Sequence, residues 1–151
     1  MKSCLHCNIE LNTDWAKSGQ AKYCSVKCQK AYEKAQFLIR WKEGKEAGKK
    51  GKFGISTIIR EYLFAKYHEQ CSKCGWDKVN PVSGKCPLEI NHIDGNWENN
   101  TEQNLELICP NCHALEPTFR ALNKGKGRYS IPGAFNPGNG KTKPEQPPKV
   151  L

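Results

Sequence analysis

Residues 88–120 read LEINHIDGNWENNTEQNLELICPNCHALEPTFR, and this stretch decides the fold. Apolar and polar residues alternate from 88 to 92 and again from 104 to 109, the period of strands with one buried face. Between them, residues 94–103 hold Gly95 and several Asn, turn formers that suit a long loop. Pro110 directly follows Cys109, at a first helical position where its missing N–H is not needed. The stretch therefore predicts strand, loop, antiparallel strand and short helix in succession.

Working outward, Cys109-x2-Cys112 follows Cys71-x2-Cys74 after 34 intervening residues. Four soft thiolates at this spacing suit a tetrahedral structural Zn2+ that would tie the hairpin to the helix. A second set, Cys4-x2-Cys7 and Cys24-x3-Cys28, is separated by 16 residues and predicts another structural Zn2+, built from a knuckle and a pair entering a helix. With Leu5, Leu11, Trp15 and Tyr23 as its main apolar residues, so short a segment needs metal to fold, and such sites contribute on the order of 10 kcal/mol. His6 reads as an exposed loop residue, because four Cys already complete the tetrahedron. Cys86, before Pro87, has no partner at ligand spacing and reads as a buried or free thiol. Nine Cys in a secreted chain would suggest disulfides, but residues 1–10 have no apolar signal region and no run is long enough to span a bilayer. The expectation is an intracellular, reducing compartment, with no secretion and no membrane partner.

The chain has 151 residues, 37% hydrophobic, with a mean hydropathy of -0.75. That excludes one large apolar core and favours a small, zinc-stabilised α+β protein. No Pro or Gly interrupts residues 26–43, where Tyr32, Gln36 and Ile39 recur at helical spacing beside Ala31, Ala35, Leu38 and Trp41. Residues 44–54, rich in Gly and Lys, read as a flexible basic linker. Ser56 can cap a second helix that places Ile55, Ile59, Leu63 and Tyr67 on one face and ends at His68, a residue read as structural. Residues 124–151, rich in Gly, Pro and Lys, cannot fold alone. The expected organisation is an N-terminal Cys4 finger with its helix (1–43), the linker (44–54), a second domain (55–123) and a basic tail (124–151).

Net charge is +9, unevenly spread. Residues 1–70 carry 14 Lys+Arg against 7 Asp+Glu, residues 71–123 carry 4 against 7, and residues 124–151 carry 6 against 1. Basic arms around an acidic centre suit a protein that grips a polyanion and holds a cation in its middle. Candidate phosphate contacts are Lys49, Lys50, Lys52, Arg120, Lys124, Lys126 and Arg128. On charge alone, Lys that merely solubilises the chain fits equally well.

The motifs NHIDGN, NNTEQNL and CPNCH resemble the treble-clef-like ββα-metal core of HNH endonucleases, especially the zinc-stapled ones of phages and mobile elements, homing endonucleases included. The resemblance covers about 71–120, and YCSVKCQ, RWKEG and TFRALNKGKG also look like flanks of phage members. It implies His92 as the general base, since an imidazole is suited to take a proton from water near neutral pH. It implies Asn104 as the brace of the loop and of the base, and His113 as a ligand of the catalytic ion. Asn91 falls where many members have Asp or His as second ligand. A neutral amide is a weaker ligand than a carboxylate, so water and substrate phosphate must supply more of the coordination, unless Asp94 compensates.

The implied reaction is one-metal hydrolysis of double-stranded DNA, by nicking or cutting, with Mg2+ or Mn2+, while Ni2+ or Co2+ would also suit the ligands. A monomer or a DNA-induced dimer is expected, with no small-molecule substrate, and the host cytoplasm as location if the chain is phage-encoded. The competing reading is a non-catalytic zinc-finger DNA-binding protein, with a weakened endonuclease that mainly binds DNA between the two. The constellation of Asn91, His92, Asn104 and His113 discriminates, because a binder needs neither base nor ligand there.

Overall fold

The computed structural model describes residues 2–11 and 21–123. Trp15 and the tail 124–151, with Lys124, Lys126 and Arg128, lie outside the described residues. The described chain is a small α+β structure with two short antiparallel sheets. Helix α1 (Val26–Lys42) starts at Ser25, whose hydroxyl accepts from the Cys28 amide at 3.2 Å. Such a cap contributes about 1 kcal/mol. The sequence pattern suggests Ile39 for the inner face of this helix, but Ile39 is 49% exposed. Trp41 sets the face instead: it is buried, and Phe37 and Leu38 pack around the same cluster.

Residues 44–54 are not a free linker. Strand β1 (Lys49–Lys50) pairs antiparallel with β2 (Gly54–Ile55), Lys49 opposite Ile55. Gly48, at φ +66°, lets the chain pass against the core; a Cβ there would lie 2.5 Å from Ile59 Cδ1 and 3.1 Å from Trp41 Nε1. Helix α2 (Thr57–Lys66) follows, capped by Ser56, whose hydroxyl accepts from the Ile58 amide at 3.3 Å. Its face is as the spacing predicts, with Ile59 and Leu63 buried and Ile55 and Tyr67 flanking them. The helix ends earlier than expected, so that His68 is an exposed residue beyond it in the left-handed region, at φ 51°.

Strand β3 (Glu89–His92) pairs with β4 (Leu105–Ile108), Asn91 opposite Glu106 and His92 opposite Leu105. Helix α3 (Pro110–Ala114) follows at once, and the Cys109 sulfur accepts from the Cys112 amide at its start. All four β4 residues are buried. Leu105 joins the cluster of Trp41, Ile59 and Leu63, whereas Leu107 and Ile108 join Cys71, Leu88 and Cys109. The strand thus stitches two apolar clusters together, and each such buried aliphatic side chain contributes about 1.5–3 kcal/mol. Glu102, in the turn before β4, contacts Tyr62 and Lys66 of α2 and lies 3.7 Å from Lys42 of α1. Burial would push the Glu102 carboxyl up, but Lys66, Tyr62 and Lys42 together hold it below the ordinary glutamate value. Among the described residues no helix is long and apolar enough to cross a membrane.

Candidate active site and metal centres

The two Cys4 sets that the spacing predicts are brought together, Cys4, Cys7, Cys24 and Cys28 in one cluster and Cys71, Cys74, Cys109 and Cys112 in the other. In the first, Cys24 Sγ lies 3.6 Å from Cys7 Sγ and 3.4 Å from Cys28 Sγ, and Cys28 Sγ lies 3.7 Å from Cys7 Sγ. In the second, Cys74 Sγ and Cys109 Sγ are 3.8 Å apart. Sulfurs about 2.3 Å from a central zinc form a tetrahedron with edges of about 3.8 Å, so both clusters fit zinc. Burial alone would raise the Cys4 thiol, but amide N–H groups of Cys7, Cys24 and His6 aimed at its sulfur bring it down to about 6. Cys71 reaches about 6 in the same way, through the amides of Cys109, Cys74 and Lys73. Cys24 and Cys112 are pushed up to about 12, each by its two nearest neighbouring thiols. Without a cation, four thiolates so close cannot all ionise.

The β3–β4–α3 unit places the other candidates. Residues two apart on a strand share a face, so Glu89 and Asn91 look one way and His92 the other. His113 Nδ1 contacts Glu89 Oε2, which puts the imidazole on the Asn91 side and leaves Nε2 as the nitrogen it could offer to a cation. Asn91 is buried and donates Nδ2 to Glu106 Oε1 at 2.9 Å, which makes Oδ1 the atom it can offer to a cation. His92 has a different partner: its Nε2 lies 2.9 Å from the Asn100 side-chain oxygen. This contact orients the imidazole from the loop side.

Asn104 braces the loop: its Oδ1 accepts from the Asp94 amide, and its Nδ2 donates to Asp94 Oδ1 and to the Asn99 carbonyl, all within 2.9 Å. The group that touches His92 is Asn100, where the resemblance assigns that part too to Asn104. Asp94 is turned to the loop. Burial works against its charge, but Asn99, the Asn96 amide and Asn104 hold the carboxyl below the ordinary aspartate value. Those bonds draw both its oxygens to the loop.

Sequence reasoning missed three polar residues here. Asn100 is buried; its carbonyl accepts from Trp41 Nε1 at 2.6 Å and its Nδ2 donates to the Ala47 carbonyl at 3.4 Å, so α1 and the following segment hold it against His92. Glu89 backs His113. Glu106, opposite Asn91, sits 3.4 Å from Lys73, which also contacts the buried Glu116. The only sequence signal was register: residues opposite or two away from a motif residue share its face. Of the expected phosphate contacts, Arg120 is exposed, with its guanidinium 4.9 Å from the Phe119 ring centre; that ring meets the His113 ring edge-on at 5.2 Å. Lys49, Lys50 and Lys52 stand together on the β1–β2 hairpin.

A zinc-compatible Cys4 staple beneath a strand–strand–helix unit with His92 at a strand end defines the class of protein to compare, the H-N-H endonucleases. The chain is 46% identical over 71 residues to the H-N-H endonuclease F-TflIV of Escherichia phage T5. The match covers 47% of this chain, and the chain spans 29% of the length of that curated relative. No protein-family model matches, and no solved structure matches at a significant level.

Proposed function

We propose that this protein is a metal-dependent endonuclease that hydrolyses phosphodiester bonds of double-stranded DNA, with β3, β4 and α3 as a ββα-metal core. One observation carries the reading: the unit turns Asn91 and His113 to one face and His92, at the strand end, to the other, each oriented by a separate partner. In-line displacement at phosphorus needs a base on one side and charge stabilisation on the other. His92, its ring oriented by Asn100, takes a proton from the attacking water. Asn91 Oδ1 and His113 Nε2 are an oxygen and an imidazole nitrogen suited to Mg2+ or Mn2+, and also to Ni2+ or Co2+. A divalent ion bound there would supply Lewis-acid stabilisation of the charge developing on the phosphate and the leaving 3'-oxygen. Asn104 keeps the loop from shifting His92, and Arg120, beside His113 through Phe119, is placed to take a neighbouring phosphate. The two Cys4 zincs are structural and take no part in the reaction. The chemistry rests on one ion, because the carboxylates beside Asn91 and His113, Glu106 and Glu89, are themselves paired with Lys73 and His113.

The test is supercoiled plasmid incubated with zinc-loaded protein and Mg2+, Mn2+, Ni2+ or Co2+ in turn. Nicked or linear product with at least one of these supports the reading. Plasmid that is bound yet intact in all four would replace it with the non-catalytic DNA-binding one.

A further inference from the structure

On the β1–β2 hairpin, several lysines and two aromatic rings come together. Its tip, residues 51–53, turns through Gly51 at φ +60° and leaves Phe53 38% exposed. The Phe53 ring meets Trp97 at 5.3 Å between centroids, tilted by 56°, so Trp97 backs it from one side without covering it. Lys52 Nζ lies 5.1 Å from the Phe53 ring, and Lys49 Nζ lies 5.5 Å from the Trp97 ring and 3.3 Å from Glu98 Oε1. Lys50, between them in sequence, is exposed. Lysines on a two-stranded ribbon around a half-exposed aromatic suit a nucleic acid, since the cations meet phosphates and the ring meets the face of a base. An aromatic tip can also wedge between base steps of a duplex and kink it.

The hairpin is also tied to the loop that holds His92. Trp97 and Glu98 belong to that loop and contact Phe53 and Lys49. Asn100, against His92, donates to the carbonyl of Ala47 just before β1. A strand gripped by the hairpin therefore runs beside the same loop.

We propose that the β1–β2 hairpin is a DNA-deforming wing: Lys50 and Lys52 take phosphates, and Phe53, backed by Trp97, inserts against a base step of the duplex and brings the adjacent backbone to His92. This rests on the nuclease reading for the role of His92, but the bend itself is measured without cleavage. The experiment uses the full-length, zinc-loaded protein, no added Mg2+ or Mn2+, and a mixed-sequence duplex carrying a donor and an acceptor dye at its ends. The wild type brings the ends together. Phe53→Ala retains binding within about tenfold and loses the bend, and Phe53→Leu, which keeps an apolar tip, restores it. Lys50→Ala keeps the bend and flattens the log-log salt dependence of binding by about 0.9. A Phe53→Ala protein that bends DNA like the wild type, or no duplex binding by the wild type, would overturn the wing. If plasmid is cut but Phe53→Ala bends normally, the wing alone fails. If plasmid is not cut but bending depends on Phe53, the wing stands and the nuclease reading fails.

Discussion

The two Cys4 clusters share one backbone device but serve different surroundings. In the N-terminal one, the Cys4 amide donates to Ile9 and the Asn8 amide donates back to Cys4. In the central one, the Cys71 amide donates to Trp76 and the Gly75 amide donates back to Cys71, at the same spacing. Asn8 and Gly75 hold the same left-handed position, at φ 60° and 71°. Around the first cluster, the described apolar core is only Leu11 and Ala21, with Tyr23 and Cys28 partly buried, and Leu5 is half exposed. Around the second lie Leu88, Leu107 and Ile108, with Phe64, Tyr67, Trp76 and Ile90. One metal site must hold its segment together almost alone, whereas the other fastens a hairpin that already has a core and carries the candidate site. Equal ligands do not imply equal consequences.

The sharpest way to break this comparison is to remove one ligand from each cluster. Cys71→Ser should release one zinc and lower plasmid cleavage by more than about 100-fold, because several kcal/mol of folding energy beneath β3 and α3 go with it. Cys4→Ser should also release one zinc but leave the Trp76 near-UV signal of the second region unchanged. Loss of that signal in Cys4→Ser would mean that the regions fold as one unit.

A smaller effect is expected where the regions meet. Asn100→Ala removes the side chain between Ala47 and His92 while Trp41 keeps its bond to the Asn100 carbonyl. Cleavage should fall about tenfold, corresponding to about 1.4 kcal/mol in the barrier, with zinc content unchanged. Unchanged turnover would show that α1 does not help to position the base.

Acid separates the regions by a different route. Asp94 and Glu102 titrate below their ordinary values of 3.8 and 4.5, so they are more acidic folded than unfolded. The stability they add is fully present above the unfolded values and is lost as pH falls through the lower folded ones. The thermal stability of the region around β3 and β4 should therefore drop below about pH 4.5 more steeply in the wild type than in a Glu102→Gln variant. Parallel profiles would remove Glu102 from the account.

The smallest changes probe the shared backbone device. Gly75→Ala meets no neighbour within 4 Å, so its cost is conformational, about 1–2 kcal/mol. Asn8→Gly at the equivalent position should leave zinc affinity within about twofold, since Asn already tolerates this conformation. A larger loss for Asn8→Gly than for Gly75→Ala would contradict the equivalence.

The three α-helices, the β3–β4 strand pair and both Cys4 sets were legible in the sequence, because capping residues, period and Cys spacing act locally. Ser56 and Pro110 mark helix starts that the structure keeps within a residue. The hairpin at 49–55 was not legible: Gly and Lys signal flexibility, and only tertiary contacts with Trp41, Ile59 and Trp97 order it. Asn91, His92, Asn104 and His113 stood out by motif, but their partners did not. Asn100 resembles any loop Asn until Trp41 and Ala47, more than 50 residues away, are seen to hold it. Glu89 and Glu106 became visible only when register put them beside His113 and Asn91.

The proposed function turns on His92 acting as the base. The most direct measurement is the rate of supercoiled plasmid cleavage by wild type and His92→Ala in Mn2+, with both proteins first shown to hold two zincs per chain. The account predicts a fall of about 100- to 10,000-fold for His92→Ala. Equal rates from the two fully zinc-loaded proteins would contradict it.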